Sequence, residues 1–187
     1  MFSLKNCLVA IAIAASTVLG QVTLVLYEDP DACGGLAGIC SNTGWNTCCY
    51  KPDKLWGSGD ANGGNGPGEA ALYSYQSNDF CAIQLTSSYK VPICILTNLD
   101  SSVGGIRGWR TVSKAKEIEA PAEYVEAELA FITDTHYYII SNNKFSTLAD
   151  PLPKDAVSRE EYFRKHADKI VERGPDTFKS VKADLID

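Results

Sequence analysis

The stretch CGGLAGICSNTGWNTCC, from Cys33 to Cys49, carries four of the six cysteines that follow residue 20, and Cys81 and Cys94 complete the set. Six is an even number, so full pairing within one chain is expected; an odd leftover would have suggested intermolecular pairing or a reactive thiol. Cys48 and Cys49 are neighbours, and a bond between them would need a strained ring. In an extended chain adjacent side chains point to opposite faces, so these two cysteines are expected to staple outward in two directions. The remaining connectivity stays open. Zinc ligands usually come as Cys-x2-Cys pairs, whereas here six and seven residues separate the first three cysteines and none the next two. No metal and no cofactor are expected.

The compartment follows from the leader. Residues 1–20 read as a secretory signal peptide: Lys5 supplies the positive start and residues 8–15 (LVAIAIAA) the apolar run. That run is shorter than the about 20 residues a bilayer-spanning helix needs. Cleavage is expected after Gly20, leaving Gln21 first and removing Cys7. The expected location is secreted and extracellular, where disulfides persist.

Loss of Lys5 takes the formal charge from -6 to -7, with 23 acidic residues against 17 basic ones in the whole chain. An acidic body repels phosphate backbones and anionic lipid, so neither nucleic acid nor a membrane surface is expected as partner.

The cysteine-bearing half reads as short strands between turns. Residues 22–27 (VTLVLY) are apolar and β-branched, residues 71–75 and 80–85 have strand composition with Ser77, Asn78 and Asp79 as the turn, and residues 91–97 alternate behind Pro92. Residues 57–68 (GSGDANGGNGPG) read as a surface loop that packs no core. Asp60, Asn62 and Asn65 within it lack the closing glutamate of a calcium loop. Beyond, residues 119–132 carry both strand and helix spacing; strand is favoured because residues 136–140 (HYYII) suit a hairpin partner. Near the end, Ser158 and Glu161 form a capping-box pattern, with Val157 as staple, and Tyr162, Phe163, Ala167, Ile170 and Val171 make one helical stripe ended by Gly174 and Pro175. Phe178, Val181 and Leu185 suggest a second amphipathic stretch, and residues 149–153 a cleavable linker.

The expected fold class is therefore α+β: an antiparallel β-rich disulfide-stapled domain with a C-terminal helical extension. The expected divisions are a signal peptide at 1–20, a cysteine-stapled β domain at 21–112 and a cysteine-free extension at 113–187.

Catalytic patterns are sparse. No Gly-x-Ser-x-Gly or His-Glu-x-x-His run occurs, and the two histidines are His136 and His166. His166 lies beside the helical stripe and suits packing. Glu126, Glu128, His136 and Arg107 or Arg110 supply the base, acid and phosphate clamp a small ribonuclease uses, if the fold brings them together. Trp45, Trp56, Trp109, Tyr73 and Tyr75 are candidates for a sugar- or peptide-binding face, since aromatic rings give ligands apolar area with a wet edge. Trp109 and Tyr73 lean towards core; Trp45 and Trp56, in glycine-rich or polar surroundings, are the expected partner-binding residues.

The run VTLVLYEDPDACGG, then GICSNTGWNTCC, then a tyrosine-rich segment reaching Cys81, then Cys94 and VGGIRGW, resembles the small secreted cysteine-containing proteins of filamentous, particularly mushroom-forming, fungi. The likeness covers residues 22–110, and the stretch beyond about Thr111 departs from it. It implies a compact antiparallel β fold of the βγ-crystallin or killer-toxin-like kind, in proteins treated as candidate effectors, and it carries over no catalytic residue. The function expected from the whole sequence is a secreted non-catalytic interaction protein with an extracellular protein or glycan partner. A small secreted hydrolase, ribonuclease or glycan-active, and a structural cell-wall component are the alternatives.

Overall fold

The computed structural model describes residues 21–63, 68–87, 89–97, 102–111 and 121–173, together with the backbone of Lys179–Lys182. The expected signal peptide lies outside the described residues.

In chain order the strands are β1 (Val22–Tyr27), β2 (Gly35–Thr43), β3 (Thr47–Tyr50), β4 (Ser58–Gly63), β5 (Gly68–Gln76), β6 (Asp79–Gln84), β7 (Tyr89–Lys90), β8 (Ile93–Leu96), β9 (Val103–Arg110), β10 (Glu123–Glu126), β11 (Glu128–Ile132) and β12 (His136–Ile140). A helical turn α1 (Asn142–Phe145), helix α2 (Ala156–His166) and strands β13 (Lys169–Glu172) and β14 (Lys179–Lys182) follow. They form an eight-stranded sheet, β13-β12-β11-β2-β1-β4-β8-β14, and a six-stranded sheet, β10-β3-β9-β5-β6 with β7 added beside β5. Pairing is antiparallel except between β3 and β10 and between β8 and β14. The protein is thus mostly β-sheet, with antiparallel pairing dominant and helix a minor part.

The two sheets pack face to face. Val22, Leu24 and Leu26 of β1 meet Cys49 of β3, Leu72 of β5 and Ile106 of β9 in one buried cluster that also takes in Trp56, Phe131, Ile140 and Phe163. The reverse face of the large sheet carries a second buried cluster of Val25, Tyr27, Ala37, Ile39, Ala130, Ile132, Tyr137 and Ile139. Burial on both faces is why β1 reads as an almost unbroken apolar run rather than an alternation. The turn expected between β5 and β6 is present. Ser77 and Asn78 both adopt positive φ, at 52° and 68°, as a two-residue hairpin turn of the primed kind requires.

Several expectations are corrected. The glycine stretch is strand over nearly all of its described part, residues 57–63 and 68: Ser58–Gly63 form β4, which pairs with β1 over six residues with Ser58, Gly59, Asp60 and Ala61 buried, and Gly68 begins β5. A side chain at Gly59 would come within 2.8 Å of Leu72 and 2.9 Å of the Val25 carbonyl. Its glycine therefore marks a close approach between sheets, not a solvated loop.

Strands on either side of the boundary expected at 112/113 pair with one another. β11 pairs with β2 inside the large sheet and β10 with β3 in the small one, so residues beyond 113 complete both sheets. The expected linker at 149–153 is tied down as well. Leu152 packs on the core, Tyr162 donates to the Asp150 carbonyl at 3.1 Å, and Arg159 donates to that of Pro153 at 2.8 Å.

Helix α2 begins and ends earlier than its sequence pattern suggests. Asp155 is the N-cap, accepting from the Ser158 amide at 2.8 Å, while Val157 is 80% exposed and staples nothing. Tyr162 and Phe163 pack inward, but the helix stops at His166. Ile170 and Val171 then lie exposed in β13, paired to β12, where β-branched residues suit the strand. Residues 179–182 are likewise a strand rather than a helical turn; Phe178 and Leu185 lie outside the described residues.

The disulfides join Cys33 to Cys94, Cys40 to Cys49 and Cys48 to Cys81. The adjacent pair does staple in two directions. Cys49 faces the inter-sheet core and holds β2, whereas Cys48 faces outward and holds β6.

Candidate aromatic binding face

The outer face of the six-stranded sheet follows from register. Tyr124 of β10 sits opposite Cys48 of β3, which sits opposite Arg107 of β9 and then Ala71 of β5. The neighbouring row runs Glu126, Tyr50, Gly105, Tyr73 and Gln84. Alternation sends these side chains outward while Cys49, Ile106 and Leu72 turn to the core.

Gly105 leaves a gap in the second row. A Cβ there would lie 2.8 Å from both the Cys81 sulfur and the Phe80 carbonyl, so the start of β6 folds directly over the strand. The Cys48–Cys81 bridge fixes it in place. Phe80 is thereby laid on Tyr50, with ring centroids 4.6 Å apart and planes 27° apart. Tyr75 leans on Phe80 at 4.6 Å, and Tyr124 meets Tyr50 edgewise at 6.3 Å. Tyr124 and Tyr75 remain 46% and 42% exposed, so the row ends in two open rings.

Polar groups fasten those ends. Tyr124 donates to Asp79 Oδ1 at 3.1 Å, and the same oxygen accepts from the Cys81 amide at 2.8 Å. Tyr75 donates to Asn78 Oδ1 at 2.9 Å. Burial and then the hydrogen bond and charge of Asp79 raise the Tyr124 phenol above its ordinary pKa, with Arg107 opposing. Arg107 is itself buried, and its Nε donates to Asn46 Oδ1 at 2.8 Å. Burial likewise raises Tyr73, again against the pull of Arg107. On the flank, Lys51 bonds Glu126 and Asn142, each at 2.6 Å.

The residues singled out from sequence fare unequally. Trp56 is fully buried in the inter-sheet core, with Lys54 over its ring at 5.0 Å, and presents nothing to a partner. Trp45 is half-buried and packs on the same core, its ring filling the space that a side chain at Gly68 would occupy. Glycine-rich surroundings suggested exposed rings; in fact the glycines make room for them. Tyr73 is buried and Trp109 half-buried behind the aromatic row. Tyr50, Phe80 and Tyr124, which sequence reasoning passed over, are the residues that Tyr75 joins.

The groups suited to a ribonuclease are not brought together. The pairing of Ile132 with Tyr137 puts His136 at the turn of the β11–β12 hairpin, and Glu128 stands at its far end. Five residues at about 3.3 Å each separate them by roughly 16 Å. Glu128 is paired with Lys169, Glu126 with Lys51, and Arg107 lies on the other sheet. His166 packs against Tyr162 with ring centroids 4.6 Å apart and planes tilted by 42°, as its packing role requires. Asp60 is committed to Tyr27, Asn62 lies in β4, and Asn65 falls outside the described residues. Among the described residues no cluster of His, Cys, Asp or Glu is arranged to hold a metal, and no helix is long and apolar enough to cross a membrane.

Compared with known proteins, the chain matches no family model, no curated protein and no solved structure.

Proposed function

We propose that the protein is secreted and works as a non-catalytic binding protein, engaging an extracellular protein or glycan through the row Tyr75, Phe80, Tyr50 and Tyr124. The observation that carries this reading is the row itself: stacked aromatic rings held outward by a disulfide and ended by two open tyrosines. Clustered aromatics on a rigid support are what interface hot spots are made of, because their area is gained at little cost in side-chain entropy. Three disulfides favour an oxidising compartment. The secretory leader read at 1–20 and the likeness to small secreted fungal proteins support export and an effector-like role.

The test is partner capture from extracellular medium, wall and host-tissue extracts by the wild-type protein and by Tyr75→Ala/Tyr124→Ala. Both changes lie at exposed positions, so folding and the bridges stay intact while a specific band is lost. Equal capture by the variant, or steady turnover of RNA or a polysaccharide by the pure protein, counts against the proposal.

A further inference from the structure

Asp79 stands at the Tyr124 end of the aromatic row. It begins β6, lies next to Phe80 in sequence, and takes the Tyr124 hydroxyl. Both hydrogen bonds it accepts fall on Oδ1, from Tyr124 and from the Cys81 amide. Neither donor is charged, and among the described residues no cation stands against this carboxylate. Of the cations nearby, Lys51 is paired with Glu126 and bonds Asn142, while Arg107 lies buried one strand away, bonded to the neutral Asn46 amide and acting on the Tyr124 phenol from a distance. The whole chain is acidic as well, at a formal -6.

The rings bear on what fits there. A pyranose stacks on a flat, open ring face, but Tyr50 and Phe80 cover each other and Tyr75 leans on Phe80. Tyr124, set 74° to Tyr50, has area to give beside the carboxylate. A carboxylate beside the open Tyr124 ring attracts a cation twice, through its charge and through the negative ring face.

We propose that Asp79, with Tyr124, Tyr50 and Phe80 around it, receives a cationic side chain, an ammonium or guanidinium, from the protein partner. This rests on the binding face proposed above and commits it to a protein ligand with an exposed basic segment. Asp79 supplies the charge, Tyr124 the ring surface, and the Cys48–Cys81 bridge the fixed distance between them.

The experiment titrates the secreted protein with an arginine–glycine hexapeptide, with the same peptide carrying neutral citrulline for arginine, and with chitin and β-glucan oligosaccharides. Amide and tyrosine-ring signals are followed by nuclear magnetic resonance. The arginine peptide should move the signals of Asp79, Tyr124 and Tyr50, and the citrulline peptide should not. Asp79→Asn keeps the oxygen that Tyr124 and Cys81 use but removes the charge, and should weaken binding by about fivefold. Asp134→Asn, the same charge change in the β11–β12 turn, should leave binding unaltered.

Equal loss in both variants, or equal binding of both peptides, overturns the inference. Sugars that move these signals when the arginine peptide does not would overturn it too, yet leave the face a binding face. If no ligand moves them and Tyr75→Ala/Tyr124→Ala captures partners as well as wild type, the binding face itself is refuted along with the inference.

Discussion

Tyr27 donates its hydroxyl to Asp60 Oδ2 at 2.5 Å, and neither residue exposes any surface. The bond spans neighbouring strands β1 and β4 on the reverse face of the large sheet. Burial first, then the charge and hydrogen bond of Asp60, hold the Tyr27 phenol well above its ordinary pKa. An unfolded tyrosine gives up its proton near about pH 10, while the folded one keeps it. The stabilisation is therefore complete below pH 10 and is lost as pH rises further, because the unfolded state binds fewer protons.

Tyr27→Phe should accordingly lower stability at neutral pH by about 2 kcal/mol, the order of cost for depriving a buried acceptor of its donor. It should also make the alkaline decline shallower. Urea unfolding from pH 7 to 11 checks both. A variant with wild-type stability and an unchanged alkaline slope would show that this bond carries no such weight.

Asp60 also marks where sequence reading fails. β1, β6 and β12 are legible because VTLVLY, DFCAIQ and HYYII carry β-branched and aromatic residues at strand length. β4 is not, because SGDANG holds a single small apolar residue and reads as a turn; its strand character comes from pairing with β1 and β8, which no local pattern records. The end of α2 is illegible for a similar reason, since Ile170 and Val171 fit a helical stripe and a strand equally well. The aromatic row depends on register. Tyr50, Phe80 and Tyr124 are far apart in the chain and meet only once β10 lies beside β3 and one disulfide draws β6 across Gly105. A single sequence shows that Cys48 and Cys49 point apart, but not which partner each takes.

The bridges should differ in worth. Their sequence separations are 61 for Cys33–Cys94, 33 for Cys48–Cys81 and 9 for Cys40–Cys49. Loop-closure entropy then gives about 4 kcal/mol for each of the first two and about 2.5 kcal/mol for the third. Paired Cys→Ala variants compared by urea unfolding should fall in that order, and peptide mapping of the unreduced protein should show these three links and no free thiol. A variant lacking Cys33 and Cys94 that matches wild type in stability would count against the ranking.

Gly105→Ala should disturb the aromatic row from beneath. Its added carbon meets a sulfur and two carbonyls at 2.8 to 3.0 Å, none of them the end of a flexible side chain. Overpacking of this kind costs about 1–3 kcal/mol, and the displaced β6 should carry Phe80 off Tyr50. Loss of the ring-current shifts on Tyr50, together with a lower unfolding midpoint, is the expected outcome; unchanged ring signals would mean that the strand accommodates the extra carbon elsewhere.

The central claim is that partners are met on the aromatic row of the small sheet. Photo-crosslinking tests it most directly, with benzoylphenylalanine placed in turn at Tyr124, at Tyr75 and at Ile170, the last being exposed on β13 at the edge of the other sheet. The expected result is one discrete adduct from positions 124 and 75 in extracellular extracts, competed away by unlabelled protein, with none from position 170. An adduct from position 170 alone, or one from 124 and 75 that competitor leaves untouched, would contradict it.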